Sequence, residues 1–315
     1  MGTTLQSNTN IFQDIFQDID FDKIIDHPNI LIAAHFWDPE RYAAAKTCYK
    51  FMRSIDDLID NYKTEHKVIS ANEREQLEME VITWINTILN ATQNNSSQTK
   101  LIETINKFSI PSWPLEAFAR SMIYDIHNDG FQTLKDYLDY AGGASVAPAS
   151  IFVHLCGLTL ENGKYIPPAF DVKQVATPCA VFSYLVHIIR DFVKDHTHNL
   201  NYFPDDLMKK YCLDRTNLLE MAMGSDLTPG FRGMIRELYI VADEYRIRTC
   251  EMMKEITPQL EPRSQLSLQI IFALYMMVFE RINIENGTFS TEELNPTPQE
   301  IKERVRIVID TFIAN

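Results

Sequence analysis

Glycine is scarce in this chain, at 10 of 315 residues. Tight turns between strands draw on glycine for positive φ, and few turn dipeptides are present, so the shortage argues against a fold of many short strands and for helices joined by loops. Basic charge is also short. There are 29 Lys and Arg against 43 Asp and Glu, a formal net charge of −14. That balance disfavours nucleic acid, which basic patches must bind by displacing counterions; an anionic substrate remains compatible if metal ions mediate. No CxxC pair occurs, and the five cysteines, Cys48, Cys156, Cys179, Cys212 and Cys250, are odd in number and widely spaced. They read as reduced, mostly buried thiols of a cytoplasmic protein. The longest apolar run, from Ile270 to Phe279, spans about ten residues against the roughly 20 that cross a bilayer, so no transmembrane helix is expected. No secretory signal is visible, and Gln6 stands where N-myristoylation requires Ser or Thr.

What remains is an ordinary globular composition, 45% hydrophobic and 23% charged, with length enough for a buried core. Residues 1–20 look loose and polar, and residues 21–315 read as a single all-helical domain. Helical periodicity runs from Pro39 to about Lys63, through Tyr42, Ala45, Tyr49, Met52 and Leu58. It returns from Ala71 to Leu89, where Ser70 and Glu73 fit a capping box at the start. Further helices are expected from Trp113 to about Ile126, from Leu134 to Leu155 with interruptions near Gly142-Gly143 and Pro148, and from Asp171 to Asp195. The stretches 228–257, 262–284 and 298–313 complete one large bundle. The polar segment around Gln93 to Gln98 reads as a loop. The middle of 171–195 is apolar all round, which suits the centre of a bundle.

Two acidic clusters stand out, about 130 residues apart: Asp56-Asp57-Leu58-Ile59-Asp60 and Arg190-Asp191-Phe192-Val193-Lys194-Asp195. In each, two aspartates are spaced four apart, so a helix stacks like charges on one face, at a repulsion of a few tenths of a kcal/mol. A cation offsets such repulsion. Mg²⁺ in particular takes hard oxygen ligands, usually one or two carboxylates plus substrate phosphates. A solvated helix face is the plain alternative. Against it, Asp191 follows Tyr184-Leu185-Val186-His187-Ile188-Ile189, too apolar for an exposed face, and Arg53 and Arg190 lie close by, with guanidinium forks suited to phosphate oxygens.

The segment Tyr49-Lys50-Phe51-Met52-Arg53-Ser54-Ile55-Asp56-Asp57-Leu58-Ile59-Asp60 resembles the first aspartate-rich motif of the squalene/phytoene synthase family, and His187 to Asp195 resembles the second. Between them, Ser121-Met122-Ile123-Tyr124-Asp125, Tyr137-Leu138-Asp139-Tyr140 and Ala144-Ser145-Val146-Ala147-Pro148-Ala149 resemble the intervening landmarks in order and spacing. The resemblance runs from about His27 to Leu207. It implies an isoprenoid-synthase bundle around one central cavity and head-to-head (1′–1) condensation of two prenyl diphosphates, farnesyl or geranylgeranyl. It implies Asp56, Asp60, Asp191 and Asp195 as ligands of two or three Mg²⁺ ions, with Asp57 in support. Arg53 and Arg190 would contact diphosphate, and Tyr140 would bind diphosphate or assist proton removal. His27 falls on a substrate-side histidine if a one-residue gap near Pro39 is allowed. Apolar walls are expected from Phe51, Ile151, Phe152, Leu155, Phe182, Leu185 and Tyr275, where ring faces stabilise an allylic cation and core packing is the plain alternative.

The chain departs from the family pattern at several places. His187 stands where an Asn is usual and Tyr184 where a Gln is usual. Val146 and Ala149 replace glycines, and Asn199-Leu200-Asn201-Tyr202 lacks an arginine. Arg246 or Arg248 is the candidate replacement for a C-terminal arginine. His187 offers either a hydrogen bond to diphosphate or a partner for Asp191. These departures keep two other readings open: a class I terpenoid reaction on one prenyl diphosphate, and a non-catalytic prenyl-lipid-binding factor. No glycine-rich dinucleotide signature is visible, which leaves reduction by NADPH unsupported. Long prenyl substrates favour peripheral contact with a bilayer.

Overall fold

The computed structural model describes residues 11–24, 29–66, 68–90 and 96–314. Residues 11–17 form a short helix, α1, in place of the loose segment expected there. Phe12 and Phe16 recur at helical spacing and are buried, and the Phe12 ring meets Phe312 edge-on at 5.7 Å. Gln13 donates from Nε2 to Asp310 Oδ1 at 2.8 Å, so the two ends of the chain pack together.

The long helices follow: α2 (Asn29–Ala34), α3 (Pro39–Glu65), α4 (Ala71–Leu89), α5 (Ser96–Phe108), α6 (Trp113–His127), α7 (Leu134–Ala141) and α8 (Ala147–Cys156). After a two-stranded hairpin come α9 (Val172–Arg190), α10 (Phe192–Thr197), α11 (Asp205–Lys210), α12 (Arg215–Ala222) and α13 (Pro229–Ile256). The last three are α14 (Pro262–Phe279), α15 (Thr291–Leu294) and α16 (Pro298–Thr311). Their buried apolar side chains form one continuous core. Among the described residues the bundle is all-α apart from that hairpin, in which Thr159–Glu161 pairs antiparallel with Lys164–Ile166. Asn162 (φ 50) and Gly163 (φ 75) make the turn, the Asn-Gly pairing that a two-residue hairpin loop favours.

Local chemistry explains several boundaries. Ser70 and Glu73 form the expected capping box, with the Ser70 N–H donating to Glu73 Oε2 at 2.8 Å. Asp38 caps α3, and Arg41, only 4% exposed, pairs with Asp38 and with Glu261 (2.9 Å) ahead of α14. Between α7 and α8 the helix does not stop. It passes through a π-helical turn, Gly142–Val146, just before Pro148. Proline has no N–H for the i−4 carbonyl, and a wider turn accommodates the missing bond. Gly143 is required there, because a Cβ would lie 2.1 Å from Ser121 Oγ and 2.3 Å from the Ala117 carbonyl oxygen of α6.

Helix α9 runs through the centre, packed chiefly on α13 and α8. With 19 residues and a mean hydropathy of 1.3 it is, by length and composition, the one helix among the described residues that could cross a membrane. Half of the stretch is buried inside the protein, as a core helix requires. The segment 93–98 expected as a loop contributes its last residues to the start of α5.

Candidate active site

One cavity of about 310 Å³ opens among α3, α8, α9, α13 and α14. Each helix gives it one stripe at three-to-four spacing: Tyr49, Met52, Arg53 and Asp56 from α3, and Cys179, Ser183, Tyr184 and His187 from α9. Thr249, Met252, Met253 and Ile256 come from α13, and Leu268, Ile271, Phe272 and Tyr275 from α14. The wall is mainly apolar, with its ionisable groups gathered at the Arg53–Asp56 end. The α13 stripe was not singled out from the sequence, because its spacing is the same as that of ordinary core residues.

Of the expected catalytic, binding and metal residues, Arg53, Asp56, His187 and Tyr275 share the cavity, whereas Asp60, Tyr140, Arg190, Asp191 and Asp195 are not among its lining residues. Of the expected wall, Phe152 and Tyr275 line it, and Phe51 does not. Ile151, Leu155, Phe182 and Leu185 are instead fully packed in the core, at 2% exposure or less, because they sit on the faces of α8 and α9 turned to neighbouring helices. Arg246 and Arg248 are also outside the cavity. Arg246 bonds Asp243 on its own helix at 2.6 Å, and Arg248 approaches Glu244 at 3.9 Å. His27 lies outside the described residues.

The first acidic cluster sits in mid-α3, where Asp56 and Asp60 are stacked on successive turns. Arg53 reaches Asp56 Oδ2 at 2.8 Å and Asp57 Oδ1 at 2.6 Å. The second cluster spans a break in the helix. Asp191 closes α9 and opens α10, its N–H on the His187 carbonyl at 2.8 Å, and the Asp195 N–H bonds the Asp191 carbonyl at 2.8 Å. The uninterrupted helix expected through Asp195 is thus two helices hinged at the first ligand candidate. Arg190 grips Asp191 with both arms of its fork, at 2.8 and 2.7 Å.

In each cluster one aspartate lacks such a guanidinium grip, and its carboxyl rises. Burial, then the charges of Asp56 and Asp125, lift Asp60 well above the carboxylate range, and Asp195 adds to that repulsion. Burial and Asp191 push Asp195 up to about 8. Asp56 is also raised, by burial ahead of its neighbours. Burial alone would raise Asp191, yet Arg190 beside it holds it below the usual value. Asp195 is among the charges acting on Asp60, so the two clusters lie within electrostatic reach of each other. Tyr202 donates to Asp60 Oδ1 at 3.5 Å, and Asp125 is locked behind by Lys63 at 2.7 Å.

Among the described residues, no three His, Cys, Asp or Glu side chains come close enough together to hold a metal ion alone. Two carboxylates per cluster, one of them in each without a guanidinium partner, match the donor set of Mg²⁺ that completes its shell with phosphate oxygens. His187 is kept neutral, pushed down to about 3 by burial and the Arg190 charge, and its Nε2 is buried without a hydrogen-bond partner. An orphan of that kind is destabilising by about 1–3 kcal/mol. Tyr140 is 6% exposed and stands behind the cavity wall, its ring packed 6.2 Å from that of Tyr184, which lines it.

The architecture is similar to that of solved structures whose sequences are distant. A dehydrosqualene synthase in complex with ligand superposes with a TM-score of 0.63 at 15% identity, over 96% of this chain and 98% of that one. The squalene synthase HpnC from Alicyclobacillus acidocaldarius gives 0.61 at 12%, over 86% and 91%. YisP from Bacillus subtilis gives 0.57 at 14%, over 94% and 97%. At these identities the likeness establishes the isoprenoid-synthase fold. No curated protein sequence matches. The sequence pattern of squalene/phytoene synthases, however, matches residues 27–300. That span takes in both acidic clusters, the tyrosines between them and the helices that enclose the cavity, and the chain belongs to the squalene/phytoene synthase family.

Proposed function

We propose that this protein ionises prenyl diphosphates with Mg²⁺ and joins two of them head to head, forming a squalene-, dehydrosqualene- or phytoene-type product and releasing diphosphate. The observation that carries the reading is an apolar cavity whose wall includes Arg53 and Asp56 of the first cluster and His187, one helical turn before the second. Asp56, Asp60, Asp191 and Asp195 would hold the metal, which supplies charge neutralisation for the leaving diphosphate. Arg53 and Arg190 already lie at the aspartates and can turn to phosphate oxygens once a cation takes their place. The apolar lining keeps water from the allylic cation, and the Tyr275 ring offers a π face.

The cavity size favours a second reading, in which one prenyl diphosphate is ionised and then cyclised or captured. A cavity of 150 Å³ accommodates benzene, so about 310 Å³ holds on the order of twelve carbons, close to one fifteen-carbon tail. Two tails need the helices to part. Product analysis by mass spectrometry, after incubation with farnesyl or geranylgeranyl diphosphate and Mg²⁺ with and without NADPH, separates the readings. A C30 or C40 hydrocarbon supports condensation, and a C15 or C20 product supports single-substrate chemistry. Absence of diphosphate release from either substrate overturns both and leaves a binding factor.

A further inference from the structure

The cavity has two ends, and the helices around it show which is which. His187 lines one end, a turn ahead of the second acidic cluster, with the Tyr275 ring 5.5 Å away. Val175 and Ala176, near the start of α9, line the other. Helix α8 runs the opposite way beside α9. Ser145 Oγ, just ahead of α8, donates to the Ala180 carbonyl in mid-α9 at 2.9 Å. Past the far end of α8, Gly157 lies so close to Phe170, just ahead of α9, that a Cβ on it would stand 2.5 Å from that ring. Phe152 and Val153 of α8 therefore lie beside Val175, away from the acidic clusters. Ile256 joins them, because the chain that follows it brings Ser264 Oγ onto the Cys156 carbonyl at 2.6 Å. Of these four residues Phe152 alone is a ring, and a second ring stands behind it. Trp37 is 2% exposed, and its centroid is 4.7 Å from that of Phe152.

Length decides what such an end admits. From His187 back to Ala176, helix α9 rises roughly 16 Å at about 1.5 Å per residue. A carbon chain drawn out fully advances about 1.2 Å per bond, which gives about 14 Å for a farnesyl tail and about 19 Å for a geranylgeranyl tail. The shorter tail ends before Phe152, and the longer one runs into it. Two rings packed one on the other at interior density leave no room for the surplus. We infer that Phe152, backed by Trp37, is the stop that sets prenyl length in this cavity, and that the tail it accepts is farnesyl. The inference rests on the prenyl diphosphate reading above, and it holds whether one tail reacts alone or two are joined.

The stop is read as the ratio of kcat/KM for farnesyl diphosphate to that for geranylgeranyl diphosphate, with the purified full chain and Mg²⁺. Wild type is expected to favour farnesyl by about 100-fold, within the range an apolar pocket reaches against one surplus methylene. Phe152→Ala opens the end onto Trp37 and should lower the ratio about tenfold, by raising the geranylgeranyl value. Phe152→Leu shortens the side chain with less loss of packing, and it should move the ratio the same way by a few-fold even where Phe152→Ala does not fold. Leu155→Val, a turn further along α8 and outside the cavity, should leave the ratio unchanged. A wild-type ratio below about fivefold, a ratio unmoved by the Phe152 variants, or an equal shift in Leu155→Val overturns the inference while leaving the prenyl diphosphate reading intact. If the wild type releases diphosphate from neither substrate, that reading fails instead, and calorimetry with the same two diphosphates and Mg²⁺ reads the stop. A geranylgeranyl Kd about tenfold weaker than the farnesyl Kd, with the gap narrowed in Phe152→Leu, sustains it, and equal Kd values refute it.

Discussion

Behind the acidic site lies an ion pair whose removal has a calculable consequence. Lys63 Nζ and Asp125 Oδ1 are 2.7 Å apart, each side chain is 9% exposed, and Lys63 also donates to the Asn128 carbonyl at 3.0 Å. Asp125→Ala strands the ammonium in a buried site with one carbonyl for company. Breaking a buried pair from one side is destabilising by about 3–5 kcal/mol. At roughly 2–4 °C per kcal/mol for a domain of this order of size, Tm should drop by about 10 °C. Urea titration followed by circular dichroism reads the same loss as a lower midpoint at unchanged slope. The physical reason is the uncompensated charge and not the lost contact, so Lys63→Met combined with Asp125→Leu should recover to within about 1 kcal/mol of wild type or exceed it. A single variant as stable as wild type, or a double variant as weak as the single, refutes this account. The pair bears on the site as well, since Asp125 adds to the repulsion on Asp56 and Asp60 and Lys63 partly cancels it.

Asp56→Ala and Asp191→Ala should each abolish diphosphate release while leaving the helical circular dichroism unchanged; near-wild-type turnover in both contradicts the ligand assignment. Mg²⁺ with inorganic diphosphate should raise Tm, by an amount equivalent to about 2.7 kcal/mol at a hundredfold excess over Kd, and either component alone should do much less. Gly143→Ala forces α6 away from the π turn and should destabilise by about 1–3 kcal/mol, with loss of the 2.9 Å bond from Ser121 to the Tyr140 carbonyl; differential scanning fluorimetry reads it. His154 is 3% exposed, bonded through Nε2 to the Phe108 carbonyl at 2.8 Å, and burial lowers its pKa. The unfolded chain therefore binds the proton more readily than the folded one. The His154 contribution is present above the unfolded value of about 6.5 and is lost as pH falls below it. His154→Gln should flatten that part of the urea midpoint against pH, and an unchanged slope contradicts it.

The helices of this fold were legible wherever a cap or a periodic stripe marked them. The Ser70–Glu73 box and the Pro39 start are both where the sequence puts them. The hairpin turn at Asn162-Gly163 was not read from the sequence, although that dipeptide favours such a turn. The break at Asp191 had no cue, because the same residues that make an acidic motif also make acceptable helix. Within the site, the sequence supplied the four aspartates and two arginines. It could not say that each arginine would lie on an aspartate of its own cluster, Arg53 on Asp56 and Asp57 and Arg190 on Asp191. Nor could it separate wall from core: Phe152 and Leu155 are one turn apart on α8, and only the packing of neighbouring helices decides that one lines the cavity and the other does not.

The turn at Gly142–Val146 sets the phase between two halves of the site. On one side lie Tyr137 and Tyr140, on the other Ala149, Phe152 and Val153. A π turn spends one residue more than an α turn on the same circuit. Removing a residue there would swing one group past the other by about 100° of helix rotation. The tyrosines would then no longer stand behind the cavity wall. The length of that turn therefore does for this protein what a key does for a shaft. It locks the angle at which the polar and apolar parts of the site are mounted.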